Sequence, residues 1–149
     1  MSTLIEDLEQ AGFYVASGVR FSVLVPAQWM LQETEEDLQV SSPSGKTAVI
    51  VSTFKRTGPE AIADAREHLS RFLAKENVKA EATLLIQTQG DATADYNDSE
   101  GGFWRVTFLM NARRLVLATC NSTRGAEAEE VSQGRHVLAS INLEPHFPH

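Results

Sequence analysis

From Phe13 to Val25 the chain alternates: Val19, Phe21, Val23 and Val25 form one row, Arg20, Ser22 and Leu24 the other, and Pro26 ends the run. A period of two marks an extended segment with one face toward a core. Leu38 and Val40 begin a second such segment. Pro43-Ser44-Gly45 supplies a fixed φ, a turn former and a residue tolerant of positive φ. It predicts a hairpin joining a strand at 37–42 to one at 47–54. The polar stretch 32–37 reads as a connection.

Two longer segments change to helical spacing. Ile62, Ala65, Leu69, Phe72 and Leu73 recur at intervals of three and four up to about Glu76. Thr57 can cap this helix, Glu60 can answer it, and Pro59 is tolerated in a first turn whose N–H groups lack partners. A last helix is predicted from Ser122 or Thr123 to about Asn142, burying Ala128, Val131, Val137, Leu138 and Ile141. Gly134 inside it costs about 1 kcal/mol relative to Ala, which close packing of helix on sheet explains. Thr3 and Glu6 have capping-box spacing for a short N-terminal helix that Gly12 ends.

Between the helices lie further strands. Residues 81–89 place Ala82, Leu84 and Ile86 on one face, and the Asp- and Asn-rich 91–98 reads as a sheet edge, where charge discourages unwanted pairing. Ser99-Glu100-Gly101-Gly102 turns the chain into 103–110, and Asn111-Ala112 turns it again into 113–121. A two- or four-residue loop in this second hairpin sets Trp104, Val106, Phe108 and Met110 beside Leu115, Leu117 and Thr119. The opposite face carries Phe103, Arg105, Thr107, Leu109, Val116, Ala118 and Cys120, too apolar for full solvation. Both faces of the sheet are therefore expected to be covered.

Strand runs broken by a single internal helix imply an α+β domain: an antiparallel β-sheet of about six strands flanked by helices on both faces. A length of 149 residues suits one domain with one core. The expected layout is an N-terminal helix at 1–12, a core at 13–143 and a frayed tail at 144–149. The motif Phe21-x-Val23-x-Val25-Pro26-x-x-Trp29, then a hairpin, a long helix, an antiparallel meander and a helix ending Leu138-x-Ser140-Ile141, resembles the PsbP-like fold superfamily. That superfamily includes the photosystem protein PsbP, a Ran-binding import factor, DcrB-like proteins and related chaperones of secretion effectors. The resemblance implies an α/β/α sandwich and a binding or assembly role without a shared catalytic centre.

Charge and composition narrow the function. A net charge of −7, with only Lys55-Arg56 and Arg113-Arg114 as adjacent basic pairs, disfavours nucleic acid as a partner. Cys120 is the sole cysteine, so neither an internal disulfide nor a cysteine-rich metal site can form. With no signal-like N-terminus and no apolar run long enough for a membrane span, a bacterial-type cytoplasmic protein is expected.

No arrangement of reactive side chains stands out, and neither a cofactor nor a metal is expected. The acidic stretch 91–102 fails the calcium-loop pattern, because Glu100 or Tyr96 falls where Gly is needed and Val106 or Gly102 where the bidentate Glu belongs. Gly45-Lys46-Thr47 lacks the preceding glycine and following helix of a phosphate loop. Glu33, Glu35, Glu36 and Asp37 lie in an unbroken polar loop, without the dry pocket a catalytic acid needs. Cys120 reads as a small core residue and His68, one position before the apolar stripe, as a boundary residue. Trp29, Met30 and Leu31 either plug the end of the core or form part of a partner surface. Arg113 and Arg114, at a hairpin tip, form either a solvated turn or a contact for an acidic partner. The leading expectation is a non-catalytic protein-binding or adaptor module, with homodimerisation as one form. A small-molecule or lipid carrier using the mixed face around Arg105 and Thr107, and an unrecognised enzyme, are the alternatives.

Overall fold

The computed structural model describes residues 13–15, 21–35, 37–56, 64–76, 83–88, 90–111 and 114–143. The proposed helix at 1–12, Arg113 and the tail at 144–149 lie outside them. Ten strands and two helices are described: β1 (Phe13–Val15), β2 (Phe21–Ser22), β3 (Met30–Glu33), β4 (Asp37–Ser41), β5 (Thr47–Arg56), α1 (Ala65–Lys75), β6 (Thr83–Gln87), β7 (Asp91–Asn97), β8 (Phe103–Asn111), β9 (Arg114–Ser122), α2 (Ala128–Ala139) and β10 (Asn142–Leu143). Eight of the strands form one antiparallel sheet in the order β3-β4-β5-β9-β8-β7-β6, with β1 pairing the far end of β5. That is two more strands than the sequence suggested. A separate two-stranded ribbon joins β2 to β10.

The long hairpin β8–β9 sets the layers. Its register pairs Val106 with Thr119 and Phe108 with Leu117, so each strand's alternate residues go to opposite sides. On one side Val106, Phe108, Leu115 and Leu117 meet Phe54, Ala92 and Ala94 under Ala65, Leu69 and Phe72 of α1. On the other, Val116, Ala118 and Cys120 meet Val40, Val49 and Val51 under Val137 and Leu138 of α2. The fold is thus α+β with helices on both faces of the sheet, as both faces' apolar character demands.

The helices lie over different strands. α1 packs on β7 and β8, whereas α2 packs on β5 and β9. Beyond α2, this face of the sheet continues as a shelf formed by β8, β7 and β6, on which Thr93 and Thr107 are buried. The close approach of α2 is made possible by Gly134, and Arg135 anchors the helix by placing its guanidinium 4.2 Å from the centre of the Phe103 ring.

Several expectations need correction. β7 is an inner strand between β6 and β8, not an edge. Its polar side chains are tolerated because β8 answers them: Asp95 accepts from Arg105 Nε at 2.7 Å and Nη2 at 2.9 Å, and the Thr93 and Thr107 hydroxyls bond at 2.8 Å. Its other face, Ala92, Ala94 and Tyr96, is buried beneath α1. Residues 30–33 are a strand rather than part of a loop, and among the described residues the alternating run 13–25 supplies β1 and β2 as regular strand. Even so, Phe21, Val23 and Val25 all pack against the α2 core.

α1 is capped by Asp64, whose carboxylate accepts from the Glu67 N–H at 2.9 Å; the expected cap at Thr57 with Glu60 lies outside the described residues. With that start, Ala65, His68, Leu69 and Phe72 form the buried stripe. His68 is consequently a core residue, 2% exposed and stacked on Phe108 at 5.9 Å. α2 starts later than predicted, after Glu127, because Ser122 belongs to β9 and its hydroxyl meets that of Thr47 at 2.9 Å. Ala128 is exposed, and Ile141 follows the helix instead of lying within it.

Candidate functional site

The groups best suited to chemistry are engaged in holding the fold. Asp98 Oδ1 accepts from the Gly102 N–H at 2.7 Å and the Glu100 N–H at 2.9 Å, and its Oδ2 accepts from Trp104 Nε1 at 3.0 Å. The Trp104 bond, followed by that from Gly102, holds this carboxyl below its usual range. The acidic stretch is therefore a hairpin turn, with Gly101 at φ +83°. Gly45, in the Gly-Lys-Thr segment, takes φ +77° at the β4–β5 turn. That turn is tied to α2 by the Ser44 hydroxyl, which donates to Glu130 at 2.5 Å. Cys120 is fully buried beneath Gly134, and burial pushes its thiol up to about 11. A thiol so disposed is no nucleophile at neutral pH. Among the described residues, no three His, Cys, Asp or Glu side chains gather as a metal site would need.

Two surface features remain. The first is β3. Trp29, just before it, turns inward, 7% exposed, packs in the α2 core and donates Nε1–H to Gln133 Oε1 at 3.1 Å. This inward placement is the one that the plug reading requires. Met30 and Leu31 turn outward, 74% and 57% exposed, and all four β3 residues are exposed. Leu31 pairs with Val40 and shares its α2 side of the sheet, so Met30 projects from the other. β3 is a terminal strand of the sheet path, presenting one row of backbone groups beyond its bonds to β4.

Arg114 is not part of this surface. It begins β9 opposite Lys55 and Asn111, half-buried. Met30 lies in line with Asn121 at the other end of β9 through Ser41 and Ala48. Seven residues of strand separate the two positions, roughly 23 Å.

The second feature is a cleft of about 170 Å³ on the shelf beyond α2. Thr93, Arg105 and Thr107 form its floor; Leu109 of β8 and Leu138, Ala139 and Ile141 from the end of α2 form its wall. Asp91 and Leu85 complete the lining. Arg105 is committed to Asp95, leaving the pair neutral. The Asp91 carboxylate has no hydrogen-bond partner among the described residues, and burial alone raises its pKa. The mixed apolar and polar face of β8 signalled this region in the sequence. Asp91 and Leu85 were missed, because neither the inner position of β7 nor the irregularity between Leu84 and Ile86 in β6 is visible from local pattern.

Among solved structures, cyanobacterial PsbP (CyanoP) from Synechocystis sp. PCC 6803 superposes with a TM-score of 0.62 at 12% identity, over 89% of this chain and 91% of that one. A protein from Bacteroides thetaiotaomicron VPI-5482 does so with a TM-score of 0.53 at 17% identity, over 89% of this chain. This chain spans only 48% of the Bacteroides protein. No family model matches the sequence, and no curated protein matches it. The chain has a PsbP-like fold. At such identities the likeness speaks for architecture and leaves function to the surfaces themselves.

Proposed function

We propose that this chain is a non-catalytic binding module that takes an extended segment of a partner polypeptide onto the edge of β3. The observation that carries it is the outward pair Met30 and Leu31 on a terminal strand whose inner neighbour, Trp29, already closes the core. Edge pairing supplies main-chain hydrogen bonds, and apolar side chains on both faces grip alternate residues of the incoming strand. Glu33 and Glu35 follow directly, exposed, so a segment carrying Lys or Arg beside its apolar residues is the complementary partner. Two copies of the chain, each at −7, repel one another, which favours a basic partner over a homodimer. The single buried thiol is at home in a reducing cytoplasm, which we propose as the compartment. No described helix is long and apolar enough to cross a membrane.

Carriage of a lipid is the weaker reading. Drug-sized ligands occupy about 300 Å³ or more, and the cleft offers about 170 Å³. The docking proposal is tested with a photo-cross-linking residue in place of Leu31, compared with one in place of Ser70 on the exposed side of α1. Cross-links from position 31 to one basic, extended segment, lost on Met30→Asp, are expected. Equal labelling from both positions, or none from position 31, would remove the proposal.

A further inference from the structure

The cleft beyond α2 has an electrostatic imbalance. Its one cation, Arg105, is neutralised by two hydrogen bonds to Asp95, and the Thr93 and Thr107 hydroxyls bond each other. Asp91 is left over. Its backbone carbonyl accepts from the Thr88 N–H at 2.8 Å and hydroxyl at 3.1 Å, fixing the β6–β7 turn, but its carboxylate meets no protein donor among the described residues. Beside it stand the apolar surfaces of Leu109, Leu138 and Ile141, with Leu85 at the β6 side. A partly desolvated anion next to a small apolar hollow is complementary to a cation carrying a short hydrocarbon body.

We infer that this cleft is a binding site for an alkylammonium group, with the ammonium on Asp91 and the alkyl chain against Leu109, Leu138 and Ile141. At about 25 to 30 Å³ for each water-sized group, the volume admits about six non-hydrogen atoms. That is the size of pentylamine or of a lysine side chain. The uncharged balance of Arg105 with Asp95 excludes a carboxylate as the preferred head group, since it would meet Asp91 without a free counter-charge. A free amine and the side chain of a partner's lysine share this chemistry.

NMR titration of the full-length protein with n-pentylamine tests it. Saturable amide shifts at Thr93, Thr107, Leu109 and Leu138 are expected, with a dissociation constant of the order of 1 mM. Pentanoate and pentanol should bind about tenfold more weakly, and Asp91→Asn should weaken pentylamine by about tenfold while leaving the rest of the spectrum in place. Should Asp91→Asn disturb the fold, Ala139→Tyr, at an exposed position on the wall, gives the same loss by filling the mouth. Nα-acetyl-lysine amide distinguishes the sources: comparable affinity assigns the site to a protein lysine, and failure alongside pentylamine binding assigns it to a free amine. Pentanoate binding as tightly as pentylamine, an unchanged response in Asp91→Asn, or no saturable shift below about 20 mM pentylamine overturns the inference.

Discussion

Gly134 of α2 lies over Cys120 of β9 so closely that a Cβ at position 134 would stand 2.7 Å from the Cys120 sulfur. The same atom would meet the Thr47 Cγ2 at 2.8 Å. Both neighbours are fully buried on the sheet, so neither has open space to move into. The helix therefore accepts the entropic cost of an internal glycine in exchange for contact with the sheet.

Gly134→Ala should accordingly destabilise the protein although alanine is the better helix former by up to about 1 kcal/mol. Overpacking of this kind costs about 1 to 3 kcal/mol, so after the full propensity gain the net loss lies between about 0 and 2 kcal/mol. Chemical denaturation of Gly134→Ala, Cys120→Ala and the double variant measures the coupling. The double variant should be more stable than the sum of the two losses, because removing the sulfur makes room for the new methyl. A stabilising Gly134→Ala would show that α2 stands further from β9 than described.

The Cys120 thiol, raised to about 11 by burial, should ignore an aromatic disulfide reagent at about pH 8 while the protein is folded. Labelling should appear only as denaturant opens the α2 side of the sheet, and its rate should then follow unfolding. Rapid stoichiometric labelling of the native protein would contradict the burial of the thiol.

The α+β class and the two-sided cover were legible in sequence because β8 and β9 are long and their two rows differ so plainly. Phe108 opposes Leu117 with Val106 on the same row, while Val116, Ala118 and Cys120 form an equally apolar second row. β3 was illegible for the opposite reason. Met30-Leu31-Gln32-Glu33 shows no period, every side chain is exposed, and only backbone pairing with β4 makes it a strand. The inner position of β7 depended on register: Asp95 and Thr93 look like edge residues until Arg105 and Thr107 stand opposite them. His68 was misplaced because the stripe was read from its apolar members alone, although His68 stands three residues after Ala65 and four before Phe72 and so shares their face. Counted from the Asp64 cap, Ala65, His68, Leu69 and Phe72 fall on one face at spacings of three, one and three. Trp29 was recognised as either plug or surface, and its burial in the α2 core together with the Gln133 contact separates it from Met30 and Leu31.

Asp98 provides a pH-dependent lock on the β7–β8 hairpin. Its folded pKa is depressed, so its contribution is present above the unfolded value near pH 4 and is lost as the pH falls through the lower folded value. Protonation weakens acceptance from Trp104 Nε1 and from the turn amides. Trp104 fluorescence should therefore change in an acid titration below about pH 4, and Asp98→Asn should abolish that step and shift the emission at neutral pH toward that of the acid form, because an amide offers one acceptor oxygen where the carboxylate offers two. Persistence of the step in Asp98→Asn would assign it to another carboxylate.

Trp29 and its two neighbours should separate stability from binding. Trp29→Ala removes a large buried ring from the α2 core and leaves Gln133 Oε1 without its donor, which predicts a loss of about 3 to 5 kcal/mol. Leu31→Ser removes an exposed side chain and should change stability by less than about 0.5 kcal/mol. Denaturation midpoints measured alongside cross-linking yield at β3 test both. If the edge docks a partner, Leu31→Ser keeps the midpoint and loses the yield. A large stability loss in Leu31→Ser would instead make residues 29–31 a single structural plug, and the outward pair would then have no role in recognition.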